Sequence, residues 1–200
     1  LFNRGVDYGG DGDTDTVFFG VSQYKDSAWT GNVLGVSITS ETPSEWTFNN
    51  VFDSSYGAAK PVTASVEHMS CFDMNYIYFG TGRWFYKTDE SGSGSSDRNY
   101  LYGVRIDGCK DGDCDLSEAE SDVCSDITGP NDKYAWKKAL LGRGVDDLME
   151  RLIANPATTQ YSNVVYFNTT MPNADICAAG GQHRIWSINC ATGNNAPDYT

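Results

Sequence analysis

The sequence predicts an all-β protein: a partial, open set of β-propeller-like blades of antiparallel strands, with at most one or two short helices. Three observations predict it. Short apolar or alternating runs recur along the whole chain and are separated by segments rich in Gly, Asn, Asp and Ser. One strand–loop–strand pattern occurs three times. Only one segment reads as helix at all.

The strands follow in order. Residues 17–21 form a short apolar run. Residues 32–38 alternate, with Leu34, Val36 and Ile38 on one face. Residues 61–66 alternate again. In 75–80, Tyr76 and Tyr78 lie on one side, Ile77 and Phe79 on the other. Tyr100, Tyr102, Val104 and Ile106 share a face, and 164–167 and 184–188 complete the set. The Ser-Gly-Ser-Gly-Ser-Ser run at 91–96 is a flexible loop inside a hairpin. The helical segment runs over 133–141 and is broken by Gly142 and Gly144. Residues 146–153 fit helix or strand.

The repeat joins Val17-Phe18-Phe19-Gly20 and 31–36 in its first copy. Tyr76-Ile77-Tyr78-Phe79-Gly80 and 100–104 form the second. Val164-Val165-Tyr166-Phe167 and 183–188 form the third. Three copies are too few for a ring of about 4–8 blades. One region therefore spans 1–200, expected to be the C-terminal part of a larger protein. Leu1-Phe2-Asn3-Arg4 reads as an internal start with no signal peptide.

Lys and Arg number 14 against 27 Asp and Glu, a formal charge of −13. Such a chain repels nucleic acid and anionic lipid and suits divalent cations. No apolar run approaches the ~18 residues of a membrane span. The six cysteines, an even number, point to an oxidising compartment. Six cysteines allow about 15 pairings, among which sequence alone does not choose; the local pairs expected first join Cys177 to Cys190 and link two of Cys109, Cys114 and Cys124. Zinc is disfavoured: no CxxC occurs, and His68 and His183 lie far from any Cys pair.

The richest segment chemically is Asp7-Tyr8-Gly9-Gly10-Asp11-Gly12-Asp13-Thr14-Asp15. Its carboxylates stand at alternate positions and run into a strand. A hard cation such as Ca²⁺ takes about 6–8 oxygen ligands, and a loop offering one at every second residue can wrap them round one centre. Asp7, Gly9, Asp11, Asp13 and Asp15 match the first, third, fifth, seventh and ninth places of an EF-hand-type loop, with Gly9 replacing one acid. No bidentate Glu closes it, since Phe18 stands there, so binding is expected in the extracellular ~0.1–1 mM class. A second candidate set is Asp111, Asp113, Asp115, Ser117 and Asp122. The flanking cysteines make a disulfide-stapled loop its alternative.

These segments, in this order, resemble the C-terminal propeller of PilY/PilC-type proteins, the type IV pilus tip adhesin and biogenesis factors. Asp7 to Gly20 is similar to that family's metal loop and strand, and Gly31-Asn32-Val33-Leu34 to its returning strand. Pro61-Val62-Thr63-Ala64 resembles its Pro-Ile-Thr segment. Tyr78-Phe79-Gly80-Thr81-Gly82-Arg83 is close to its hallmark. Glu150-Arg151-Leu152-Ile153 with Asn155-Pro156 resembles a strand region there, which favours strand over helix at 146–153. Phe167-Asn168-Thr169 and Pro172 through Cys177 are similar to its final blade. Gly9, the Cys-rich insert at 107–126 and Cys190 depart from the pattern.

The resemblance implies a non-catalytic, exported protein at the bacterial cell surface, with Ca²⁺ in the first loop regulating pilus function, attachment or motility. Implied partners are minor pilins or the pilus tip, the rest of its own propeller or neighbouring filament subunits, and surfaces or host receptors. Trp29, Trp46, Trp84 and Tyr86 are candidates for an adhesive patch. Two other readings fit parts of the chain. One is a processed or stand-alone subunit of an extracellular filament, assembling through open sheet edges. The other is a quinoprotein-like propeller enzyme, from Trp186-Ser187-Ile188-Asn189 and Ala191-Thr192-Gly193. A hydrolase finds no GxSxG, and His68 near Ser65, Ser70 and Asp73 makes no triad by proximity alone.

Overall fold

The computed structural model describes residues 5–52, 60–83, 98–106, 116–118, 135–142, 149–159, 161–173 and 181–196. They form three antiparallel sheets stacked in chain order. The first is β1 (Gly5–Val6), β2 (Thr16–Lys25), β3 (Ala28–Ser37) and β4 (Thr47–Phe52), hydrogen-bonded in that order. The second holds β5 (Glu67–Cys71), β6 (Met74–Gly80), β7 (Tyr100–Arg105), β8 (Leu116–Glu118) and β9 (Ala135–Ala139). Its order is β5-β6-β7-β9, with β8 as a parallel edge on β9. The third holds β10 (Arg151–Leu152), β11 (Ala157–Thr159), β12 (Val164–Pro172) and β13 (Gly181–Asn189). Here β12 is central, flanked by β13 on one side and by β10 and β11 on the other. The all-β, open, blade-like architecture is as the sequence predicts, and the one described helix is a single 3₁₀ turn, Pro43–Glu45.

The threefold repeat is literal in the pairing. Val17 opposite Val36 and Phe19 opposite Leu34 recur as Ile77 opposite Val104 and Phe79 opposite Tyr102, then as Val165 opposite Ile188 and Phe167 opposite Trp186. On the other face of each hairpin an aromatic stands against a small residue: Phe18–Gly35, Tyr78–Gly103 and Tyr166–Ser187. Two residues on come Gly20–Val33, Gly80–Leu101 and Asn168–Ile185. Because strand side chains alternate between faces, the second sheet presents one face to the first sheet and the other to the third.

Two cores follow. Between the first and second sheets lie Phe18, Val33, Val51, Ile77, Phe79, Tyr102 and Val104, with Val62 and Val66 from the connection. Between the second and third lie Tyr76, Tyr78, Leu101, Trp136, Leu152, Val165, Phe167 and Ile188. At each junction the incoming chain crosses a glycine. A Cβ on Gly20 would stand 2.4 Å from Val62 Cγ1, and one on Gly80 2.5 Å from Leu152 Cδ2. Gly20→Ala is therefore expected to cost about 1–3 kcal/mol by overpacking. Urea melts of the single variant check this; an unchanged midpoint would contradict the close crossing.

Two expectations are corrected. Residues 135–139 are the strand β9, not part of a helix over 133–141. Trp136, Lys138 and Leu140 are buried at period two and β9 pairs with Tyr100 to Val104 along its length, so tertiary pairing overrides local propensity. Of the ambiguous 146–153 stretch, Arg151–Leu152 is strand. The second correction concerns Cys190, which bonds Cys71 across 119 residues rather than Cys177. Cys190 follows β13 on the face turned to the second sheet, and β5 ends there at Cys71, so nearness in space replaces nearness in sequence. Cys109, Cys114, Cys124 and Cys177 lie outside the described residues.

Candidate functional site

The acidic loop joins β1 to β2 and is pinned at both ends. The Asp15 amide donates to Val6 O at 2.9 Å, and the Ile38 amide donates to Asp15 O at 2.7 Å. Inside, the carboxylates organise the backbone. Asp7 Oδ1 accepts from the Gly10 amide at 2.6 Å and Oδ2 from the Gly12 amide at 2.8 Å. Asp15 Oδ2 accepts from the Tyr8 and Gly9 amides at 2.6 and 3.2 Å, and Asp11 Oδ1 from the Asp13 amide at 2.9 Å. The wrap needs positive φ at Gly10 (71°) and Gly12 (95°), which glycine adopts without strain. The amides of Gly12 and then Gly10 hold the Asp7 carboxyl below its ordinary value. Its contribution to loop order is present above about pH 4, the ordinary value, and lost as pH falls through the lowered one.

Asp7, Gly9, Asp11 and Asp13 are exposed and Asp15 is half-buried. All their side-chain donors are hard oxygens, the chemistry calcium takes. A carboxylate has about four lone-pair sites, so the amide bonds leave capacity on each. Among the described residues no three His, Cys, Asp or Glu side chains gather at metal-ligand spacing. The donor chemistry suits a hard cation, but the four carboxylates do not gather round one centre; those of Asp7, Asp11 and Asp15 turn to the loop's own amides. The second acidic set lies outside the described residues except for Ser117, which is on β8.

The Tyr78-Phe79-Gly80-Thr81-Gly82-Arg83 segment is a structural knot. The Gly82 amide donates to Pro61 O at 2.8 Å and the Leu152 amide to Thr81 O at 3.0 Å. Thr63 Oγ1 donates to Gly82 O at 2.8 Å, and Arg151 to Arg83 O at 3.2 Å. One turn thereby receives both inter-sheet connections. Sequence reasoning flagged this segment but missed a second hub, Glu150, which is only 2% exposed. Its carboxylate accepts from the Leu141 amide at 2.9 Å, from Trp186 Nε1 at 3.0 Å and from the Thr169 hydroxyl, with Arg184 at 3.6 Å. Lys138 and Arg184 lie over the Trp186 ring at 5.5 and 5.0 Å. A lone Glu in a loop gives no sequence signal for this.

His68 bonds Asn75 Oδ1 at 3.0 Å, and burial lowers its pKa against the opposing pull of that bond. That is a structural pairing of adjacent strands. Trp29 packs with Tyr24 at 5.3 Å under the Arg83 guanidinium at 4.4 Å, and Trp46 donates to Ser40 O at 2.9 Å. Trp84 and Tyr86 lie outside the described residues.

This fold is shared by a solved structure. The C-terminal domain of Pseudomonas aeruginosa PilY1 matches 96% of this chain with a TM-score of 0.62 at 15% identity. The chain has the fold of the PilY1 domain. It spans 47% of the length of that PilY1 structure, about half. No family model matches the chain, and no curated protein matches it by sequence. The resemblance to PilY/PilC-type proteins, drawn from short segments of sequence, thus agrees with the PilY1 fold. No helix among the described residues is long and apolar enough to cross a membrane.

Proposed function

We propose that this chain is a non-catalytic, calcium-binding region of an exported protein associated with type IV pili, acting in calcium-regulated pilus function, attachment or motility. The likeness to PilY1 over 96% of the chain carries the reading. The acidic loop supports the calcium part. Asp7, Asp11, Asp13 and Asp15 would hold the ion, with the Gly9 carbonyl or a water at the remaining place. A bound calcium ion supplies the positive charge that four neighbouring carboxylates lack. The chain's own part is to order the loop: Asp7 and Asp15 gather its amides, and the Val6 and Ile38 bonds tie that order to β1 and to the end of β3. Ligand binding to the ordered form stabilises it by mass action. In this reading calcium selects one loop shape at the margin of the first sheet, and pilus components or an attachment surface read that shape.

Calorimetric titration of calcium into the native chain and into Asp11→Ala/Asp15→Ala tests this. The native chain is expected to bind at about 0.1–1 mM and the variant to lose most of the heat. An unchanged isotherm would move the ion elsewhere. The pilus part is tested separately, by placing the same variant in the parent protein and scoring twitching with and without calcium. Motility indifferent to the substitution would sink it.

A further inference from the structure

Four polar side chains are shut into the junction between the second and third sheets: Thr81, Asn99, Lys138 and Glu150. Lys138 is the unusual one at 2% exposed, since lysine is almost never fully buried. It pairs with Leu101, and the Leu140 amide donates to Asn99 O at 2.9 Å. Leu101 and Leu140 both lie in the core against the third sheet. Asn99, at the start of β7, and Lys138, on β9, are therefore diagonal neighbours on that face. Such neighbours stand about 7–8 Å apart, within reach of a long side chain. The Asn99 carboxamide is held at both ends. Its Nδ2 donates to Glu150 O at 2.8 Å, and its Oδ1 accepts from the Thr81 hydroxyl at 3.3 Å. Lys138 Nζ stands 5.5 Å from the centre of the Trp186 ring, whose Nε1 donates to Glu150 Oε1 at 3.0 Å. An amine, a carboxamide and a carboxylate thus share one buried cluster.

We propose that Lys138 and Asn99 join in the folded chain, through an isopeptide bond from Nζ to Cγ. The Glu150 carboxylate takes a proton from the Lys138 ammonium. The neutral amine attacks Asn99 Cγ, and the Thr81 hydroxyl steadies the carboxamide oxygen as it gains negative charge. The Cγ–Nδ2 bond then breaks. The departing nitrogen takes up the proton held by Glu150 and the one that Nζ loses on acylation. It leaves as an ammonium ion, and Glu150 is a carboxylate again. The exchange is redox-neutral and consumes nothing else. Holding the reactants in one geometry replaces a bimolecular encounter. The product also suits the site, because a neutral amide replaces an ammonium that is costly to take out of water. The link ties the strands on either side of the Cys-rich insert at 107–126, and it forms only once β7 and β9 pair. It depends on neither the calcium nor the pilus reading.

Intact mass spectrometry of the purified protein, denatured and reduced, is expected to give a single species lighter than its sequence by one ammonia. Protease digestion should yield one branched peptide joining the segments that hold Asn99 and Lys138, and tandem fragmentation places the branch. Lys138→Met keeps an unbranched side chain in the core and should return to full sequence mass. Glu150→Gln should leave most of the chain unlinked even where its circular dichroism is native, a readout that lost stability alone would not move. Native protein at full sequence mass overturns the proposal whatever the variants do. Loss of ammonia without the Asn99–Lys138 branch overturns it too, and a fully linked Glu150→Gln chain overturns the proton path.

Discussion

Removing the Cys71–Cys190 bond is expected to lower the melting temperature by about 10–20 °C. The bond closes 119 residues of chain. A loop of that size lowers the entropy of the unfolded chain by an amount worth about 4–5 kcal/mol. For a chain of about 200 residues, each kcal/mol moves the midpoint by about 2–4 °C. The site adds a second reason for a large effect. The carbonyl of Cys190 accepts from Tyr78 Oη at 3.2 Å and from Trp136 Nε1 at 2.9 Å. All three groups are buried, so a shift of the 190 backbone endangers two hydrogen bonds that no water replaces. Thermal unfolding of Cys71→Ala/Cys190→Ala beside the native chain measures it. Both sulfurs sit in the core, so a reductant should act on the native chain only near its midpoint. A melting temperature unchanged in the double variant would show that the bond does not join the two sheets in solution.

Glu150→Ala is expected to cost about 3–5 kcal/mol, the range for breaking a buried charged network from one side. The substitution leaves the Trp186 indole, the Thr169 hydroxyl and the Leu141 amide short of their acceptor and strips Arg184 of a nearby negative charge. Glu150→Gln separates the two contributions. It keeps the acceptor that serves Trp186 and Thr169 but turns an amide towards Leu141 and Arg184, so an intermediate loss is expected. Urea unfolding of both variants, with Trp fluorescence as the probe, reads the effect directly. A cost below about 1 kcal/mol for the alanine variant would mean the network is not closed as described.

The parts of the fold that were legible from sequence are those in which local pattern and tertiary role coincide. The alternation of Tyr76, Ile77, Tyr78 and Phe79 appears unchanged as the two faces of β6, one in each core. The three copies of the hairpin were visible because the same residue types are needed wherever a sheet is sandwiched. The 133–141 segment misled because Lys137, Lys138, Ala139, Leu140 and Leu141 are all good helix formers, and nothing local announces that Lys138 will be buried beside Trp186. Cys71 shows no local partner for a related reason: its partner lies beside another sheet, and spacing carries no information about stacking. The acidic loop is legible as a loop, and Gly10 and Gly12 stand where its positive φ values fall. The inward turn of Asp7 and Asp15 towards the amides was not, because exposed carboxylates have many partners to choose from.

The single covalent bridge also sorts the molecule mechanically. Tension applied outside the bonded span passes through the Cys71–Cys190 sulfur bridge and bypasses the chain between them. The first sheet, the segment through β5 to Cys71 and the residues after Cys190 then lie on the load path. Under pull, that leading third should unravel at modest force and lengthen like a tether, while the remainder stays compact as a shielded block. Because the acidic loop belongs to the extensible part, whatever stiffens it sets the force at which the tether begins to pay out.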